Sequence, residues 1–151
     1  MTIERFNIRV YGLLVHDHQV LVSDEFIRGH AVTKFPGGGL EFGEGTRDGL
    51  VREIREELGL QALDIAHFYT TDFFQASAFR SGDQIISIYY TFRVADIGAV
   101  PERSVPTGPG LRNGEEHFRW WDLRRGREDD LTLPIDRVVA RLLLEQERRK
   151  G

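Results

Sequence analysis

Along the first third of the chain, Ile8, Val10, Gly12 and Leu14 alternate with Arg9, Tyr11 and Leu13. His16-Asp17-His18-Gln19 then supplies a turn, and Val20-Leu21-Val22 resumes the apolar run. This pattern predicts a hairpin of strands 8–15 and 20–24. Lys34-Phe35-Pro36-Gly37-Gly38-Gly39 breaks it and predicts an irregular backbone segment. From Thr46 to Leu58 the period lengthens: Leu50, Ile54 and Leu58 recur every fourth residue, Val51 lies beside them, and Gly59 follows as a C-cap. Aromatic and β-branched residues predict two further strands at 66–74 and 84–94. Residues 98–114, with Pro101, Pro106 and Pro109, predict a long loop, and long loops in compact domains often carry function. Glu116–Asp122 predicts a short strand. Pro134 opens a final helix through Val138, Val139, Leu142 and Leu143, with the charged tail from Glu145 expected to fray. A mixed sheet with a helix on each face would bury both helix stripes, so the expected fold is α/β.

Composition narrows the chemistry. The 151 residues suit one domain, expected over 1–151. The absence of Cys removes disulfides, thiolate metal sites and any Cys nucleophile. Twenty Lys plus Arg against 24 Asp plus Glu give a formal charge of −4, which argues against a nucleic-acid partner. Glu4, Arg5 and Arg9 interrupt the N-terminal apolar positions, so no signal peptide is expected. No apolar run is long enough for a transmembrane helix. A cytoplasmic protein without a membrane partner is expected.

The informative segment is Gly38–Leu60, GGLEFGEGTRDGLVREIREELGL. At about 100° per residue, Glu53, Glu56 and Glu57 fall in one sector of the helix, beside the apolar sector of Leu50, Val51, Ile54 and Leu58. Like charges at this spacing cost about 0.2–0.5 kcal/mol per pair. Arg52 and Arg55 offset part of that, and a divalent cation would offset more. An oxygen-only donor set suits Mg²⁺ or Mn²⁺. A solvated acidic face is the plainer reading of those glutamates taken alone.

The full pattern is Gly38, five residues, Glu44, seven residues, then Arg52-Glu53-Ile54-x-Glu56-Glu57-x-Gly59-Leu60. It resembles the signature of the Nudix hydrolase family, with every fixed position filled. Lys34-Phe35-Pro36-Gly37-Gly38 is similar to the family's lead-in. The resemblance implies a Nudix-type α/β/α sandwich around a mixed β-sheet. It implies metal-dependent hydrolysis of a pyrophosphate bond in a nucleoside diphosphate linked to another moiety: a nucleotide, a nucleotide sugar or an ADP-ribose-like substrate. Glu53, Glu56 and Glu57 match the family's metal-ligating glutamates, Gly38 a carbonyl in the metal shell, Arg52 the arginine that orients a helix carboxylate, and Glu44 the supporting loop glutamate. In the family the general base is a box glutamate or one from a distal loop, and Glu102, Glu115 and Glu116 are the distal candidates here. A homodimer is open, since many members dimerise.

The box defines chemistry, and substrate choice lies elsewhere. Phe74 and Tyr89 are candidates to stack on a base, as are their neighbours Phe73 and Tyr90, although aromatics in strands also build cores. Lys34, Arg28 and Arg80 are candidates for phosphate or ribose oxygens, or plain surface charge. The downstream Pro of ADP-ribose hydrolases and Tyr of diadenosine polyphosphate hydrolases are absent from their usual places. The competing reading is a Nudix-like domain that senses a nucleotide without cleaving it. Such domains lose box glutamates, which this chain keeps. An isopentenyl diphosphate isomerase would need a Cys.

Overall fold

The computed structural model describes residues 2–101 and 115–150. The fold is α/β, a mixed β-sheet with two helices. Among the described residues, no helix is long and apolar enough to cross a membrane. The chain groups into two compact units, Met1–Leu13 with Gly37–Ala95, and Leu14–Pro36 with Asp96–Gly151.

The first unit holds most of strand β1 (Arg5–His16), then β4 (Gly37–Gly39), helix α1 (Thr46–Leu58), β5 (Leu63–Thr70) and β6 (Asp83–Arg93). β4 runs antiparallel to β1, with Val10 opposite Gly38 and Tyr11 opposite Gly37. The glycine run is therefore a paired strand, where the sequence suggested irregular backbone. Gly and Pro read as breakers in isolation, but β1 supplies this segment with hydrogen-bonding partners. β6 lies between β1 and β5, and β5 pairs with it antiparallel through two register shifts.

β5 begins at Leu63 and ends at Thr70, so Phe73 and Phe74 fall in the following loop rather than in the strand expected over 66–74. Helix α1 has the bounds the periodicity gave. It buries Leu50, Ile54 and Leu58 with Gly49, and Gly59 caps it in the left-handed conformation, its N–H reaching the Arg55 carbonyl at 2.9 Å. The core of this unit is Val10, Leu13, Leu50, Ile54, Tyr89 and Phe92, all at most 2% exposed.

The second unit holds the end of β1, then β2 (Gln19–Ile27), β3 (His30–Lys34), β7 (Glu116–Asp122) and helix α2 (Pro134–Lys150). The first hairpin closes where expected, His16 opposite Gln19, with Asp17 and His18 at φ of 51° and 63°. Two central residues at positive φ match the twist of the flanking strands. A second such hairpin, not anticipated from the sequence, turns through Arg28 and Gly29 and pairs β2 with β3, Ser23 opposite Lys34. β7 pairs along β2 from Gln19↔Asp122 to Glu25↔Glu116.

α2 runs on to Lys150, through the segment expected to fray. Arg148, Arg149 and Lys150 complement its carbonyl end, and Glu147 meets the His18 ring at the hairpin turn. Of the loop expected over 98–114, residues 102–114 lie outside the described residues, and Glu102 with them.

Candidate active site

The first unit assembles the box around one cation. Arg52 projects from α1 and is 22% exposed. Its Nε and Nη2 donate to the two carboxylate oxygens of Glu44 at 3.0 and 2.7 Å. Its Nη1 donates to Glu53 at 2.9 Å and to Glu56 at 3.3 Å, and its Nη2 also reaches the Gly39 carbonyl at 3.0 Å. Glu41 joins the same guanidinium at 3.6 Å. A planar fork with five N–H donors is what lets one side chain serve four carboxylates. The Glu44 carboxyl is held below the usual glutamate range, first by the Arg52 hydrogen bond and then by the Glu41 N–H. Arg52 is raised in turn, chiefly by the hydrogen bond to Glu44.

Two of the expected ligand residues also face β4. Glu57 accepts a hydrogen bond from the Gly37 N–H at 2.9 Å. The Glu53 carboxylate lies so close to Gly38 that a Cβ there would sit 2.6 Å from Oε1 and 2.8 Å from Oε2. Gly38 is thus a glycine because a carboxylate occupies the space a side chain would take. Helix packing explains this placement: the buried faces of Leu50 and Ile54 fix the rotation of α1, and the neighbouring sector carrying Glu53 and Glu57 then meets the glycine strand.

The loop between β4 and α1 is braced as well. Leu40 donates to the Ile8 carbonyl at 2.9 Å, Glu41 N–H to the Glu44 carboxylate at 2.9 Å, and Glu44 N–H to the Glu41 carbonyl at 3.4 Å. Gly43 turns through φ of 88°.

The second unit gathers a separate charged group on β2, β3 and β7. Lys34 is 8% exposed and sits 3.5 Å from both Glu25 and Glu116, and the Ser23 hydroxyl donates to Glu116 at 2.6 Å. Buried Asp24 takes the Arg119 Nε at 2.6 Å and the Thr33 hydroxyl at 2.7 Å. These buried charges are paired, as burial requires. Glu115 lies beside His117 at 3.8 Å. Arg28 is exposed in the β2–β3 turn.

Of the residues considered for substrate, Phe74 is 61% exposed, whereas Tyr89 is 1% exposed and stacks on Tyr11 at 5.2 Å between ring centroids. That burial leaves a base no ring face at Tyr89, so the structure gives this residue a packing role. Glu41 and the Gly39 carbonyl were not singled out from the sequence. Neither occupies a fixed position of the motif, and only the fold of the loop brings them to Arg52.

These features define a class: an α/β protein in which a glycine strand feeds a helix that presents glutamates around an arginine. A NUDIX domain pattern matches residues 5–142, and the chain belongs to the NUDIX family. It is accordingly a Nudix hydrolase, of the family that hydrolyses pyrophosphate bonds in nucleoside diphosphate derivatives.

The fold is similar to that of a NUDIX hydrolase from Nitrosomonas europaea, with 20% identity, a TM-score of 0.66 and coverage of 93% of this chain and 89% of that one. It is also similar to a MutT NUDIX hydrolase from Burkholderia pseudomallei, with 21% identity, a TM-score of 0.65 and coverage of 95% and 98%. No curated protein matches the chain.

Nudix enzymes are generally divalent-metal dependent. Among the described residues, no three acidic or histidine side chains already converge as a metal cage. The donor set nevertheless fits a hard cation. Glu53, Glu56 and Glu57 offer only carboxylate oxygens, and the glycine strand leaves room for Glu53 against its backbone.

Proposed function

We propose that this protein hydrolyses a pyrophosphate bond in a nucleoside diphosphate linked to another moiety, with Mg²⁺ or Mn²⁺ as cofactor. The substrate is a nucleotide, a nucleotide sugar or an ADP-ribose-like compound. The observation that supports this reading most is the pair of α1 glutamates turned onto Gly37 and Gly38, with Arg52 holding one of them. Glu53, Glu56 and Glu57, with the Gly38 carbonyl, would hold the metal. A divalent cation there supplies neutralisation of the pyrophosphate's negative charge and makes an attacking water more acidic.

The chain's own residues do the positioning. Arg52 fixes the Glu53 and Glu44 carboxylates relative to the glycine strand, and the Gly37 N–H fixes Glu57. Proton removal from water falls to a box glutamate. Glu115 and Glu116 are the distal alternatives among the described residues, Glu116 being held by Ser23 and Lys34. Exposed Phe74 and Arg28 stay as proposed substrate contacts, and Lys34 as a proposed contact for a phosphate that could displace a glutamate from it.

The test is a panel of nucleoside triphosphates, nucleotide sugars, ADP-ribose and dinucleoside polyphosphates with Mg²⁺, scored by product identity. Glu57→Gln keeps an oxygen for the Gly37 N–H, so it should leave the fold intact and abolish turnover. Full activity in both Glu53→Gln and Glu57→Gln would overturn the assigned roles. Stabilisation by a nucleotide without any product would favour the sensing reading instead.

A further inference from the structure

Phe42 is the most exposed large apolar side chain among the described residues, at 109% of its reference exposure. It is not on a loosely held segment. Leu40 before it is bonded to Ile8 of β1, and Glu41 and Glu44 on either side are bonded to each other twice, the Glu44 N–H to the Glu41 carbonyl and the Glu41 N–H to the Glu44 carboxylate. Both are also tied to Arg52, at 3.6 and 2.7 Å. An apolar ring held fully in water on a braced loop buries nothing within its own fold, so packing does not account for it. Its neighbours on both sides belong to the guanidinium cluster at the box. The ring thus stands next in the chain to Glu41, itself 3.6 Å from the Arg52 guanidinium beside the proposed metal-holding glutamates.

We propose that Phe42 is a specificity-determining residue that stacks against a nucleobase of the substrate. This rests on the hydrolase reading for its substrate class, though not for its binding test. Two physical points support a stack. An aromatic side chain loses little rotamer freedom on binding, and a loop already ordered pays no further ordering cost. Base–aromatic stacking is tolerant of base identity, which suits a residue that selects for a ring rather than for one particular base.

The experiment compares wild type with Phe42→Ala and Phe42→Trp. Binding of the four common nucleoside diphosphates and of inorganic pyrophosphate is measured by titration calorimetry with Mg²⁺, alongside KM and kcat for the best substrate of the panel. The expected result is a Kd for the best nucleoside diphosphate about fivefold or more higher in Phe42→Ala, the low end for a base stack. Phe42→Trp should restore binding, and the Kd for pyrophosphate, which has no ring, should not change. In turnover, KM should rise with kcat nearly constant, and the melting temperature should not move.

An unchanged nucleoside diphosphate Kd overturns the proposal. So does an equal weakening of pyrophosphate, which would mean that the ring acts through the loop. A change of oligomeric state in Phe42→Ala by light scattering overturns it in favour of a contact between copies, and so does a wild type that binds no nucleoside diphosphate. If the wild type binds a nucleoside diphosphate through Phe42 but cleaves nothing in the panel, the hydrolase reading fails and the stacking proposal stands.

Discussion

Gly38→Ala separates the site from the fold. The added Cβ would lie 2.6 Å from Glu53 Oε1, 2.8 Å from Cδ and 2.8 Å from Oε2. Ordinary contact begins near 3.4 Å. The carboxylate therefore has to retreat by about 0.8 Å, the difference between those two distances. The clash is with the tip of a flexible side chain and not with backbone, so the cost to stability should be small, about 1 kcal/mol or less, at or below the low end of overpacking penalties. The cost to function should be larger. Glu53 would leave its 2.9 Å contact with Arg52 and shift relative to Glu57, and a misplacement on the order of 1 Å in a reacting constellation can cost about a hundredfold.

Gly37→Ala is the control with the opposite signature. A Cβ there would meet the Val10 carbonyl oxygen at 2.1 Å and the Tyr11 Cα at 2.7 Å, both backbone atoms of the paired strand. That variant should lose several kcal/mol, on the order of the worst overpacking cases, through β1–β4 pairing. The assay is urea unfolding followed by tryptophan fluorescence, with turnover of the best substrate measured on the same preparations. The reasoning is refuted if Gly38→Ala keeps wild-type kcat/KM, or if it is destabilised as much as Gly37→Ala.

Three further outcomes follow from named contacts. Ile54→Ala removes a side chain that is 0% exposed in the first unit and should cost about 2–5 kcal/mol in urea unfolding. Glu44 has its folded pKa depressed by Arg52, so its stabilising contribution is complete above the ordinary glutamate value near 4.5 and is lost as pH falls through the lower folded value. The melting-temperature gap between metal-free wild type and Glu44→Gln should therefore be widest near neutral pH and close below 4.5, and a gap that widens in acid would contradict that sign. Glu147→Ala removes the α2 partner of His18, and amide exchange in the last two turns of α2 should speed up with little change elsewhere.

The sequence was legible where local physics decides the outcome. Helix α1 could be bounded residue by residue because Leu50, Ile54 and Leu58 set the period and Gly59 ends it. The first hairpin was legible because four polar residues separate two apolar runs. What escaped depended on partners distant in the chain. Gly37–Gly39 is a strand only because β1 lies alongside it, and no property of three glycines announces that. Residues 145–150 are helical, and Glu147 among them meets His18, 129 positions away, a contact no local pattern announces. Phe73 and Phe74 have the composition of a strand, but the pairing of β5 with β6 ends at Thr70 opposite Ile88. In the site, the fixed motif positions announced Arg52, Glu44 and the three helix glutamates, whereas Glu41 and the Gly39 carbonyl enter only through the shape of the loop.

The arrangement around Arg52 resolves a conflict visible in the sequence. Glutamates at 53, 56 and 57 repel one another on an isolated helix. The fold answers with two kinds of donor. Arg52 satisfies Glu53 and Glu56 from the helix itself and ties them to Glu44 and Glu41 on the loop. The Gly37 N–H satisfies Glu57 from the strand. The two kinds differ in what they can release. Moving Arg52 away would take a partner from Glu53 and Glu56 and leave the Gly37 N–H on Glu57. On the proposed metal reading, a cation would compete with the Arg52 side chain at Glu53 and Glu56. Arg52→Met should accordingly make the melting temperature more dependent on Mg²⁺ than in wild type, because Glu53 and Glu56 would lose their arginine partner and look to the proposed metal for counter-charge.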